Sequence, residues 1–93
     1  MRLKKKLHYE ASAKWDKETG GTVDVDGFNV AFDTPRDHGG NETAPCPDQL
    51  FLASLTGCLV NTFLYYKTHL GAETRDLKVN AEAEIELTNP LGY

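Results

Sequence analysis

Apolar and polar positions alternate from residue 7 to residue 15: Leu7, Tyr9, Ala11, Ala13 and Trp15 fall on one side, His8, Glu10, Ser12 and Lys14 on the other. This two-residue period predicts a half-buried strand. Glu18-Thr19-Gly20-Gly21 reads as a turn. Two β-prone runs follow, TVDV at 22–25 and FNVAF at 28–32. The Asp26-Gly27 pair between them predicts a two-residue hairpin, because both positions of such a turn take φ > 0. Residues 75–87 alternate again, with Leu77, Val79, Ala81, Ala83, Ile85 and Leu87 opposite Lys78, Asn80, Glu82, Glu84 and Glu86. One apolar and one wet face predict a long strand in an antiparallel sheet, closed by Asn89-Pro90-Leu91-Gly92.

Between these strands the pattern changes twice. DTPRDHGGNETAPCP, residues 33–47, holds three prolines and two glycines. That density predicts a loop over 33–46, of a length that tends to carry function. Pro47-Asp48 then suits a helix start, with proline in the first turn and an acid at the positive end of the dipole. The helix runs to Leu70, with Lys67 and His69 in its last turn and Gly71 as its stop. The expected architecture is α+β, a helix packed on one face of an antiparallel sheet. It forms a single domain over 1–93: strands and hairpin 1–32, loop 33–46, helix 47–70, strand 75–87.

The helix poses the main question. LFLASLTGCLVNTFLYY, residues 50–66, contains no charged residue. At about 1.5 Å per residue it reaches roughly 26 Å, short of a hydrocarbon core about 30 Å thick. Ser54, Thr56, Asn61 and Thr62 dilute it, and only Lys67 is a nearby basic flank, so a membrane span is not expected. A helix apolar nearly all round must instead be covered on several sides. One small sheet cannot surround it, which calls for a second subunit or more chain.

Composition narrows the class. Ninety-three residues make one small domain, and 40% hydrophobic with 26% charged residues fits a folded chain. A net charge of −4 leaves no electrostatic footprint for nucleic acid. The basic start, Arg2 to Lys6, has no apolar stretch behind it and reads as a solvated strand or its frayed beginning rather than an export signal. The expected compartment is the cytoplasm, where Cys46 and Cys58 stay reduced.

Cys58 follows Gly57, and a mid-helix glycine costs about 1 kcal/mol relative to alanine. It is tolerated where another backbone or a substrate comes close. Cys58 itself reads as a small buried hydrophobe or as a reactive thiol, the second needing a nearby cation. Cys46 precedes the helix, where exposed N–H groups favour a thiolate; the alternative is an incidental loop residue. Twelve positions of helical rise separate the two by about 18 Å, beyond the ~7 Å that a disulfide allows between Cα atoms. Cys46, Cys58, His38 and His69 lack a metal-ligand spacing, and Gly39-Gly40 is too short for a phosphate loop. No metal or cofactor is expected.

DTPRDHGG at 33–40 followed by APCPDQLFLASLTGC at 44–58 resembles the OsmC/Ohr superfamily, in particular its OsmC-like branch. The shared pattern is a proline, an acidic residue and a leucine-rich helix start, with a small residue and a cysteine about ten positions on. The resemblance covers essentially the whole chain and implies a thiol-dependent hydroperoxide reductase on an intertwined homodimer, whose partner covers the long central buried helix. Cys58 maps onto the peroxidatic cysteine. Arg36 is the nearest match to the activating arginine, and Asp48 to the carboxylate that holds it, a glutamate in other branches. Asp48 and Cys58 stand about 15 Å apart along one helix, so a shared site needs a partner chain or a helix break. The family's resolving cysteine belongs to a C-terminal half that is missing from these 93 residues. Cys46 of a partner chain or an external thiol reductant takes its place. Two readings follow: a peroxidase acting on organic or hydrogen peroxide, or a non-catalytic binding or assembly module with a cleft for a small apolar ligand at the dimer interface.

Overall fold

The computed structural model describes residues 6–71, 73 and 75–86. Three strands, β1 (Ala11–Trp15), β2 (Gly21–Val25) and β3 (Phe28–Phe32), form an antiparallel meander in the order β1-β2-β3. Ala13 lies opposite Val23, which lies opposite Val30. The hairpin forms where Asp-Gly places it, with φ of 49° at Asp26 and 93° at Gly27. The Gly27 N–H donates to the Asp24 carboxylate at 3.0 Å. At the other turn Asp16 Oδ1 accepts the N–H groups of Glu18 and Gly20, at 2.7 and 3.3 Å. Gly21 is already the first residue of β2 rather than the end of that turn.

β1 begins at Ala11, four positions later than the alternation from Leu7 predicts. Its partner β2 ends at Val25, opposite Ala11, so residues 7–10 have no further ladder to join. The Glu10 backbone meets only the turn residue Asp26 there: its carbonyl accepts the Asp26 N–H at 3.2 Å and its N–H donates to Asp26 Oδ1 at 3.3 Å. The predicted strand at 75–87 is also corrected: residues 75–86 carry no strand. Alternation supplies a strand's faces but not the neighbour it must bond to, and the sheet has no fourth strand among the described residues. Leu87, the stop at 89–92 and the basic residues 2–5 lie outside the described residues.

The loop over 33–46 is less irregular than its composition predicts. It contains a 3₁₀ turn, Arg36–His38, begun by Pro35 and closed by Gly39 at φ 87°. The helix α1 spans Pro47–Leu70, the predicted bounds, and Gly71 follows at φ 70°. No residue of α1 is buried. The expected burial of this helix is therefore not met within the single chain. No described helix is long and apolar enough to cross a membrane.

The chain divides into two compact units, Met1–Asp48 and Gln49–Tyr93. The first holds the sheet and the loop; the second holds nearly all of α1. No apolar side chain is buried among the described residues, while Asp33 is only 3% exposed. The chain is α+β, with a polar centre at Asp33 in the first unit and an exposed apolar helix in the second.

Candidate functional site

The loop that carries Arg36 is built on Asp33. Its Oδ1 accepts the Thr19 hydroxyl at 2.6 Å and the Thr34 N–H at 2.7 Å. Its Oδ2 accepts the Thr43 hydroxyl at 2.7 Å and the Thr43 N–H at 2.9 Å. Thr34 in turn donates its hydroxyl to the Thr19 carbonyl at 2.7 Å. One carboxylate thus ties together the β1–β2 turn, the residue after β3 and the far side of the loop. These bonds favour the charged form and hold the carboxyl well below the usual carboxylate range; the Thr19 hydroxyl contributes most, then Thr43. Inside the loop, Pro35 O accepts the N–H groups of His38 and Gly40, at 3.0 and 2.9 Å. The Glu42 N–H reaches Thr34 O at 3.1 Å and the Asp33 N–H reaches Pro45 O at 3.1 Å. Position 40 must be glycine here, because a Cβ would collide with the Thr34 carbonyl.

Arg36 stands at the start of the 3₁₀ turn, exposed and without an ion pair among the described residues. Cys46 is half-buried, immediately before α1, and Asp48 is half-buried in its first turn. Cys58 is an exposed thiol midway along α1. Arg36, Cys46 and Asp48 belong to the first unit and Cys58 to the second. Asp48 and Cys58 share one unbroken helix, so about 15 Å of helical rise separates them within a chain.

The surroundings of Cys58 follow from helical spacing. At about 100° per residue, its face carries the polar Ser54, Asn61 and Thr62 together with Phe51, Leu55 and Tyr65. Phe51, Leu55 and Tyr65 are 66%, 46% and 58% exposed. On the opposite face Gln49, Leu52, Ala53 and Thr56 line a shallow groove with residues 79–82. The hydroxyls of Ser54, Thr56 and Thr68 turn back onto the helix's own carbonyls, at Phe51 (2.6 Å), Ala53 (2.9 Å) and Leu64 (2.9 Å). These polar side chains are thereby satisfied inside the helix and place no demand on whatever covers it. Among the described residues, nothing lies within 4 Å of where a Cβ on Gly57 would stand.

The sequence reading named Asp33 only as part of a motif and missed its role. The signal was present: an Asp-Thr-Pro start favours a side chain bonding to nearby backbone. What sequence spacing could not supply was that Thr19 and Thr43 converge on it from 14 positions before and 10 after.

A short antiparallel sheet, a built arginine-bearing loop and a long apolar helix with a central cysteine define a small α+β thiol protein. Residues 39–92 match the family described as OsmC-like protein. That is more than half of the chain, and the chain belongs to this family. The matched stretch includes Cys46, Asp48 and Cys58, and begins after Arg36. No match was found among curated proteins or among solved structures.

Proposed function

We propose that the protein is a thiol-dependent peroxidase that reduces organic or hydrogen peroxide through Cys58. The observation that carries this reading is an exposed thiol at the centre of the family's apolar helix, with Phe51, Leu55 and Tyr65 on its face. Those side chains suit the alkyl or aryl part of a hydroperoxide. The Cys58 thiolate attacks the terminal peroxide oxygen, the O–O bond breaks, and the alkoxide leaves and takes up a proton to form the alcohol. Sulfur is oxidised to a sulfenic acid. A thiol then displaces water from it to give a disulfide, and a second thiol releases Cys58 while the reductant leaves as its own disulfide. Cys46 of a partner chain or an external thiol supplies these equivalents. Arg36 is assigned the activating cation and Asp48 the carboxylate that orients it.

The working form in this reading is an intertwined homodimer in the reducing cytoplasm, with the partner covering α1 and completing the site as one OsmC-like domain. The uncovered helix supports it: exposed apolar patches of this kind mark interaction surfaces. Cys58→Ser should lower peroxide consumption, with dithiothreitol as reductant, by at least about 100-fold, the order lost when a catalytic group is removed. Consumption by Cys58→Ser as fast as by the parent protein overturns the peroxidase and leaves the non-catalytic module.

A further inference from the structure

The buried carboxylate of Asp33 takes part in no step of the chemistry above, yet it receives four hydrogen bonds. We propose that Asp33 is a positioning residue: its carboxylate locks the loop over 33–46 to the sheet and so fixes how Arg36 is presented. The assignment deepens the peroxidase reading and rests on it for the role of Arg36.

The geometry is that of a clasp. Thr34 and Thr43 bracket Arg36 in sequence, and both bond to the same carboxylate, Thr34 at Oδ1 and Thr43 at Oδ2. Thr19 brings in the turn between β1 and β2, so the clasp is anchored on the sheet as well as closed on itself. Between the two threonines the chain is held by its own backbone bonds at Pro35 and Arg36. Arg36 is exposed, so the chain around it, rather than packing, sets where its guanidinium starts from. A charged acceptor bonding two hydroxyls and two amides is a strong and directional arrangement. Asparagine in its place keeps the size but turns one acceptor atom into a donor, which then faces the N–H and hydroxyl of Thr19 and Thr34 or of Thr43.

Two readouts test the clasp. Arg36 is the only Lys or Arg in residues 33–46, so tryptic cleavage after it reports opening of the loop. Asp33→Asn, and separately Thr43→Val, should speed that cleavage by about 10-fold or more, while Thr43→Ser, which keeps the hydroxyl, restores the slow rate. Circular dichroism checks that the sheet survives. The second readout is a double-mutant cycle on cumene hydroperoxide reduction. Asp33→Asn should slow the parent enzyme but add nothing in an Arg36→Ala background. Unchanged cleavage in Asp33→Asn and Thr43→Val overturns the clasp. A full additional rate loss in the Arg36→Ala background also overturns it, since Asp33 then acts through the fold at large. If the parent protein reduces no peroxide, the function reading fails, and cleavage alone decides the clasp.

Discussion

The two units of this chain are stabilised in opposite ways. Met1–Asp48 has its hydrogen bonds closed locally: a registered three-strand meander, a turn capped by Asp16 and a loop clasped by Asp33. Gln49–Tyr93 has a helix whose Ser54, Thr56 and Thr68 hydroxyls bond its own carbonyls, but whose Phe51, Leu55, Leu59, Phe63, Leu64, Tyr65 and Tyr66 are exposed. Polar satisfaction needs only near neighbours, whereas apolar burial needs area, and area must come from elsewhere. The contrast teaches that the polar bonds of the first unit are closed by its own residues, while the apolar side chains of the second are left without burial.

The largest effect should come from putting the same charge into both. Leu55→Lys should abolish the proposed dimer and cost several kcal/mol, because a charge cannot be buried without a partner. Asn29→Lys, exposed and opposite Asp24 in the sheet, should stay within about 0.5 kcal/mol of the parent. Sedimentation and thermal unfolding at several protein concentrations measure both, since a dimer's midpoint rises with concentration. Equal effects from the two substitutions erase the distinction between the units.

A smaller effect is expected from acid, and only in the first unit. Asp33 has its carboxyl lowered by the threonine bonds, so its contribution is present above its ordinary value, about 3.9, and is lost as pH falls from there toward the lowered one. The amide resonances of Thr34 and Thr43 should hold their positions through the ordinary aspartate range and shift together only well below it, and in Asp33→Asn this joint transition should vanish. Titration of both amides at the ordinary aspartate value would show a carboxylate that the clasp does not hold.

How much of this was legible in the sequence depended on the range of the interaction. The Asp26-Gly27 hairpin, the helix bounds at Pro47 and Leu70 and the stop at Gly71 are set by residues within a turn of each other, and all three stand as read. The start of β1 and the fate of residues 75–86 depend on a neighbouring strand, which alternation does not specify. The candidate site divides along the same line. Cys58 on an apolar helix is a local fact, whereas the convergence of Thr19 and Thr43 on Asp33 belongs to the fold.

The finest test of the contrast sits beside Cys58. Around Gly57 the described residues leave open space, so alanine there should simply favour the helix and stabilise it by about 1 kcal/mol. If the partner in the proposed dimer closes on α1 at this point, the added methyl must be packed into that contact, and overpacking costs about 1–3 kcal/mol. We expect the second outcome, because a glycine in mid-helix is explained by a close approach and by nothing within the described chain. Unfolding midpoints of Gly57→Ala at low and high protein concentration separate the two. A loss that grows with concentration places the approach in the dimer, next to the thiol. A uniform gain at both concentrations leaves Gly57 facing solvent and removes it from the proposed subunit contact.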